Sequence, residues 1–391
     1  MSFIEKFFKD IEPKFDKGQQ YGAYHEVFHA LYSFFYNNHF HTKTSVHVRD
    51  SLDTKRYMGV VLIALMPALL FGIYNTGLQA RMASGLSVDF ISSVFSGATI
   101  VLPIIAVIYV VGLGIEFVSC AVRGHAVNEG FLITGMILPL TLPPTIPLWQ
   151  VAIGTAFGVI VGKEVFGGTG KNFLNPALTA RCFLFFAYPS NMSGEVWTYM
   201  LHGKDMLVDG FSGATALAQA FQTPMGEMAT ETLIGSGLTL DKLVFGFVPG
   251  SIGETSIIAI GLGALLLLLV GVGSWRTMSS AVVGAIVAIL LFNTFSEQPM
   301  AQMPFYWHLA MGGFAFGIVF IATDPVTSPY MKTSQLIYGF LIGLMGMVIR
   351  VFNPAYPESW MLIILLMNVF APFIDHWVMQ LEKSKRIPNR V

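Results

Sequence analysis

Residues 130–147 read GFLITGMILPLTLPPTIP, and residues 312–329 read GGFAFGIVFIATDPVTSP. At a constant offset of 182 positions, Gly130 matches Gly312, Gly135 matches Gly317, Thr141 matches Thr323 and Pro143 matches Pro325. Thr145 and Thr327, and Pro147 and Pro329, complete the set. A second echo sets Asn175-Pro176-Ala177 against Asn353-Pro354-Ala355 at an offset of 178. In each stretch an apolar run ends in alternating threonine and proline, which cannot continue a helix. The chain therefore reads as a duplication in which each copy carries a broken helix.

Working outward from these stretches, five apolar segments occupy about 57–78, 94–119, 131–142, 148–165 and 174–188. Five more occupy about 255–273, 279–295, 305–322, 334–352 and 359–380. A membrane-spanning helix needs about 20 residues, so 131–142 and 174–188 read as half-helices whose open ends are buried in protein. An odd number of spans per copy inverts one copy relative to the other. Inverted repeats with interrupted helices place a binding or permeation site near the bilayer midplane. The expected fold is an all-α polytopic membrane protein of about ten transmembrane helices in two inverted five-helix repeats. Its parts are an N-terminal arm (1–56), a first repeat (57–188), a connecting loop (189–254), a second repeat (255–380) and a tail (381–391).

Composition agrees. Of 391 residues, 54% are hydrophobic and 12% charged, with a mean hydropathy of +0.64; soluble domains carry roughly twice that charge fraction. Such a surface requires membrane lipid. The near-zero net charge gives no basis for nucleic-acid binding. Two cysteines, Cys120 and Cys182, cannot complete a four-thiolate cluster, so any redox group held by this chain alone is organic. The histidines of the arm, His39 and His41 among them, read as surface residues, and no metal site is expected. No cleavable leader is visible in the arm.

The basic residues orient the chain. With the N-terminus inside, seventeen Lys and Arg fall on the cytoplasmic side and four outside, with Arg181 within a span. Both termini are then cytoplasmic. The 189–254 loop, with seven acidic and two basic residues, lies on the opposite face.

That loop carries Asp209-Gly210-Phe211-Ser212-Gly213-Ala214-Thr215-Ala216-Leu217. Small residues around a hydroxyl let a bulky group approach the backbone. Ser-Gly-Ala-Thr alone is a weak signal, because Ser96-Gly97-Ala98-Thr99 repeats it at the start of the second span, where it reads as helix packing.

The run Gly162–Leu178 (GKEVFGGTGKNFLNPAL), Asn128-Glu129-Gly130, Leu142–Trp149 (LPPTIPLW), the motif ending at Thr215 and Thr323–Pro329 together resemble the B subunits of sodium-translocating NADH:quinone oxidoreductases. The likeness runs from about residue 50 to the C-terminus. The D subunit of the Rnf ferredoxin-linked complex shares this core; the N-terminal arm and the wording around Gly168-Thr169-Gly170 favour the quinone reductase. The resemblance implies FMN joined to Thr215 through a phosphodiester, with Asp209, Ser212, Gly213 and Ala214 shaping the attachment loop for a separate flavin transferase. It further implies a non-covalent riboflavin, quinone reduced near the cytoplasmic face, sodium as the transported ion, and partner subunits in a six-subunit complex of the bacterial inner membrane. NADH is oxidised elsewhere in such a complex, and no dinucleotide fingerprint is visible here.

Near the cytoplasmic turn, His125, Asn128 and Glu129 offer polar groups for a quinone head, and Gly124 and Gly130 allow close approach. Acids in or beside spans are the ion-path candidates, because charge in a bilayer is costly and usually functional. Asp324 and Asp375 lead, with Glu164, and with Thr141 and Thr323 at the broken helices; Glu116 and Glu129 also lie at span ends. Carbonyls freed at Pro143 and Pro325 are expected to add oxygen ligands, which suit a hard cation. Arg181 either pairs with an acid or holds an anionic group. The repeat alone would equally suit a passive channel or secondary transporter of small polar solutes; a tethered flavin distinguishes the two.

Impermeant thiol labelling of intact cells checks the orientation. Ser193→Cys should label and Ser384→Cys should not; the reverse pattern would invert the topology.

Overall fold

A computed structural model describes residues 54–123, 130–194, 196–201, 213–353, 356 and 358–386, with Ile11, Pro13 and Phe28. Gly124–Glu129 and 202–212 lie outside the described residues, and with them the candidates Gly124, His125, Asn128, Glu129, Asp209 and Ser212.

The first repeat contains α1 (Thr54–Ala83), α2 (Phe90–Arg123), α3 (Gly130–Leu140), α4 (Leu148–Gly162) and α5 (Pro176–Ala187). The second contains α6 (Ile257–Val270), α7 (Trp275–Phe295), a broken segment of α8 (Phe305–Ala310) and α9 (Phe314–Phe316) running into a π-helical turn (Gly317–Ile321), then α10 (Lys332–Phe352) and α11 (Trp360–Arg386). Three short helices, Ala216–Phe221, Ala229–Gly235 and Leu240–Phe245, lie in the connector. Among the described residues six helices are long and apolar enough to cross a membrane.

The remaining segments are shorter than a span, and two of them were expected to be full length. Helix α6 has 14 residues, about 21 Å at 1.5 Å per residue. Ser256 caps its start, accepting from the Ala259 N–H, and left-handed Gly271 ends it, so residues 251–256 approach it as buried, non-helical chain. The 305–322 segment breaks at Met311–Gly313, where Gly312 adopts φ +65°. A Cβ there would collide with Leu217 and crowd Arg350 Nη2 at 3.1 Å.

The two halves are built alike. In the first, α2 packs on α4; in the second, the equivalent α7 packs on α10. The leading helices α1 and α6 pack on each other across the halves, and α5 meets α11. Tyr57 at the start of α1 donates to the Val272 carbonyl just past α6, at 3.0 Å. Asn75, later in α1, donates to the Val248 carbonyl ahead of α6 at 3.0 Å. One face of the bundle thus gathers the start of α1, the end of α6 and the start of α5 (the arm face). The other gathers the end of α1 and the connector (the connector face).

Lipid is as apolar as leucine, so helices in it associate through close backbone approach at small residues. At the α1–α2 crossing a Cβ on Gly97 would run into the Ile73 carbonyl, so Ser96-Gly97-Ala98-Thr99 is packing, as the sequence suggested. At the α7–α10 crossing Gly284 abuts the Phe340 carbonyl and Gly343 the Ala281 carbonyl. Gly114, by contrast, faces outward, and a Cβ there meets nothing within 4 Å. Gly343→Leu should therefore lower the thermal stability of the purified protein sharply, whereas Gly114→Leu should leave it unchanged or slightly raised, as glycine costs a helix about 1 kcal/mol relative to the best formers. Equal stabilities would refute the packing account.

Candidate functional site: two cavities at the broken helices

Parts of the broken helices line two cavities, which lie at opposite faces. The arm-face cavity, about 690 Å³ including its open part, is bounded by the start of α3 (Gly130, Thr134, Ile137) and the end of the second broken segment (Phe320, Thr323, Asp324). Tyr57, Lys163, Thr169, Asn172, Asn175 and Leu267 complete much of its wall. The connector-face cavity, about 430 Å³, is lined by Thr215, Leu217, Leu243, Val248, Ser251, Glu254, Gly312 and Glu358, among others.

In the arm-face cavity Asp324 is held by three donors. Asn175 Nδ2 and Thr327 Oγ1 reach Oδ2 at 3.2 and 2.9 Å, and the Val326 N–H reaches Oδ1 at 3.2 Å. Asn175 is positioned by its second role: its Oδ1 accepts from the Ala177 and Leu178 N–H groups and caps α5, with Pro176 at the first helical position. One side chain of the first repeat therefore presents its amide to an acid of the second. Behind the cavity Lys163 Nζ bonds Glu116 Oε1 at 2.6 Å, both side chains 3% exposed, and lies 5.9 Å from the Phe131 ring centre. The cavity thus mixes apolar walls with amide, hydroxyl, carboxylate and ammonium groups, the lining that a polar-edged ring or a partly dehydrated cation requires.

At the connector face Arg181, 2% exposed, holds the halves together. It donates to the Thr141 carbonyl at 2.6 Å, lies 3.6 Å from Glu254 Oε1 and bonds Glu358 Oε2. Burial pushes the Glu254 carboxyl up to about 7, with the Glu358 charge adding to the effect and Arg181 opposing it. The sequence left open whether Arg181 pairs with an acid; it pairs with two, one from the connector and one from the second repeat. Neither partner was singled out as an ion-path acid. The available signal was Glu254 in a run of small polar residues, Gly250–Ser256, directly before an apolar helix.

The site residues named from sequence are divided between these places. Gly130, Thr323 and Asp324 share the arm-face cavity, so a quinone candidate and two ion-path candidates meet there. A Cβ on Gly130 would press the Thr169 side chain. Thr215 lines the opposite cavity, half-buried, with Gly213 and Ala214 leading into it. Its hydroxyl oxygen accepts from the Ala218 N–H at 3.2 Å. Thr99 instead faces outward from α2 and donates to its own helix at the Ser96 carbonyl.

Thr141, Glu164 and Asp375 lie apart from both linings. Glu164 is buried in a short 3₁₀ turn, where Arg123 Nη1 bonds its carbonyl at 2.7 Å and lies 3.5 Å from its carboxylate. Asp375 accepts the Tyr330 and Met331 N–H groups at 2.8 and 3.1 Å, capping α10 from α11. The expectation that carbonyls at Pro143 stand free is corrected by the structure. From Leu138 to Pro143 every carbonyl accepts a protein hydrogen bond: Leu138 from Thr141, Pro139 from Leu142, Leu140 from Gly253, Thr141 from Arg181, Leu142 from Ile252 and Pro143 from Ile146. The donors that close the end of the break come from the connector and α5, remote in sequence, so the break is closed by tertiary structure.

A family model described as "NQR2, RnfD, RnfE family" matches residues 41–383. Among similar proteins, the B subunit of the Na(+)-translocating NADH-quinone reductase of Ectopseudomonas mendocina is 44% identical over 99% of this chain and 100% of its own. The protein of that name from Chromohalobacter salexigens is 44% identical, covering 96% of this chain and 94% of its own. One from Pseudomonas aeruginosa is 43% identical, covering 96% and 97%.

Replacing Arg181 by Gln should cost about 3–5 kcal/mol, the range for breaking a buried ion pair by removing one partner. The double variant Arg181→Gln/Glu254→Gln should recover part of that loss in thermal unfolding. A double variant no more stable than the single one would mean that Glu254 does not depend on Arg181.

Proposed function

The chain belongs to the NQR2, RnfD, RnfE family, and from that premise we propose that it is the flavin-carrying membrane subunit of a sodium-translocating NADH:quinone reductase. The single observation that carries this reading is the placement of Thr215: a half-buried threonine on the wall of a cavity beside the seam between the repeats. A flavin tethered there is what distinguishes this reading from a passive permease, which has no use for one. Similarity along the whole chain to the B subunits of Na(+)-translocating NADH-quinone reductases favours the quinone reductase over the D-type subunit of an Rnf complex.

The residues present fit a tethered flavin. Small residues, Gly213 and Ala214, precede Thr215 in the chain, and Leu217, Leu243 and Val248 offer apolar walls for a ring. FMN attached there through a phosphodiester would supply one- and two-electron chemistry. A threonine hydroxyl is a weak nucleophile until activated; the activation is assigned to a flavin transferase acting from the periplasm. That assignment puts the connector face outside, with the termini in the cytoplasm and the protein in the bacterial inner membrane.

The arm-face cavity then opens toward the cytoplasm. Gly130, Thr134, Asn172 and Asn175 give it the polar edge that a quinone head or a non-covalent riboflavin requires. Asp324 gives sodium a carboxylate within reach of Thr323 and Asn175. Electrons enter from NADH at another of the six subunits of the complex. On this reading the chain contributes the flavin, the ion cavity and the quinone face to an enzyme that it does not form alone.

In-gel flavin fluorescence and peptide mass measurement test the attachment. Thr215→Ala should abolish the fluorescent band of this subunit and Thr99→Ala should keep it, with the adduct confined to the peptide containing Thr215. An unmodified Thr215 in protein co-produced with the transferase would refute the flavin reading. Asp324→Asn should weaken sodium stimulation of turnover several-fold, since a charge is lost from a low-dielectric cavity; unchanged sodium dependence would remove Asp324 from the path.

A further inference from the structure

Behind the connector-face cavity lies a group of buried polar atoms with no hydrogen-bond partner among the described residues. Arg350 is 0% exposed and makes one hydrogen bond, from Nη1 to the His308 carbonyl at 2.6 Å. Its Nε and Nη2 have none. Beside it, Trp360 Nε1, Ser359 Oγ and His308 Nδ1 are also without a partner, and all three residues are 0% exposed. The guanidinium carbon lies 5.1 Å from the centre of the Trp360 ring, which places these groups together. Glu358 adjoins Ser359, but its carboxylate bonds Arg181.

Buried donors are almost always satisfied, and an unpaired guanidinium in a membrane protein is especially costly. Arg350 Nε, Arg350 Nη2 and Trp360 Nε1 can only donate. The missing partner is therefore rich in acceptors and negative in at least one of its states. Its direction of approach is set by Gly312, which lines the cavity together with Thr215, Leu217 and Glu358. A Cβ on Gly312 would sit 3.1 Å from Arg350 Nη2 and press against Leu217. The guanidinium thus stands one glycine's thickness behind the wall that faces the proposed flavin attachment point.

We propose that Arg350, supported by Trp360 and Ser359, is the counter-charge for the reduced isoalloxazine ring of the flavin carried on Thr215. This rests on the flavin reading above and deepens it. The phosphodiester must lie within a bond of Thr215 Oγ, at the half-buried mouth of the cavity. The apolar walls of Leu217, Leu243 and Val248 then lead inward, and the ring is the part that reaches Gly312. Adding two electrons and one proton to an oxidised isoalloxazine leaves one negative charge, carried by its N1 and C2=O edge; on the reading above the electrons come from NADH oxidised at another subunit, and the proton from water. A guanidinium near that edge favours the reduced form and raises the potential of the bound flavin.

The test is a redox titration of the assembled complex, with this subunit's flavin identified as the signal lost in Thr215→Ala. Arg350→Gln should keep the fluorescent band and weaken the preference for the reduced form at least tenfold, a fall of about 30 mV for a two-electron couple. Trp360→Phe and Ser359→Ala should lower the potential in the same direction by less, and Arg350→Lys should recover part of the fall. A fluorescent Arg350→Gln variant with unchanged potential would overturn the proposal and leave the attachment reading intact. Should Arg350→Gln not assemble, unchanged potentials in both Trp360→Phe and Ser359→Ala would overturn it. A wild-type complex with no fluorescent band would instead remove the flavin reading itself.

Discussion

A helix broken inside a bilayer exposes carbonyls and amides that no water can satisfy, and the rest of this structure is organised around closing two such breaks. At the first, Gly253 and Ile252 donate to Leu140 and Leu142, and Arg181 donates to Thr141. The connector therefore does more than link the repeats: its last residues enter the bundle and complete the first broken helix from outside. At the second, Thr323 donates to its own helix at Val319, and the Asp324 N–H bonds Ile321. The Asp324 side chain is then oriented by Val326, Thr327 and Asn175. Each break is stabilised by a residue in or capping α5: Arg181 closes the first and Asn175 orients the acid at the second. This helix of 12 residues accordingly supplies a polar contact to both breaks.

The same constraint explains what the sequence disclosed and what it hid. Threonine–proline alternation at one fixed offset announced both breaks, because proline leaves a local mark in the sequence. Ten apolar segments and the lysine and arginine bias followed from hydropathy and charge alone. The partners of the broken ends left no such mark. Thr141 and Arg181 are 40 positions apart, and Leu140 is more than a hundred positions from Gly253. The freed carbonyls looked like ion ligands only because their donors were invisible. Nor did the sequence show that Asp375, an ion-path candidate from its place late in a span, caps α10 with its carboxylate. The length of α6 was misjudged because Gly250–Ser256 is uncharged except for Glu254, and hydropathy alone does not distinguish a buried coil from a helix.

Charge is distributed unequally between the two faces. At the arm face the pairs are compact: Lys163 with Glu116 and Arg123 with Glu164, leaving Asp324 among neutral donors. An acid so placed has no fixed cation of its own among the described residues, and it lines an open cavity. At the connector face, Arg181 is shared by Glu254 and Glu358, while Arg350 pairs with no carboxylate among the described residues. Among the described residues, one face therefore has an acid without a cation and the other a cation without an anion. Both are states that a low-dielectric medium penalises and that a bound ligand of opposite charge relieves.

The two unequal faces are joined by a run of polar contacts through Arg181. A negative charge placed beside Thr215 would meet Glu358 on the wall of the same cavity, which bonds Arg181, with Arg350 behind Gly312. Weakening the Glu358–Arg181 bond would loosen the guanidinium that holds the Thr141 carbonyl, and with it the end of α3, whose first residue lines the arm-face cavity. Helix α3 is short, begins at Gly130 beside Thr169, and ends at a carbonyl held by Arg181. Its start lines the arm-face cavity, and its end is held by Arg181, which bonds Glu358 of the connector-face lining. The broken helix leaves polar ends that need donors from distant parts of the chain, and the donor that closes its end, Arg181, is the one that also bonds an acid on the wall of the opposite cavity.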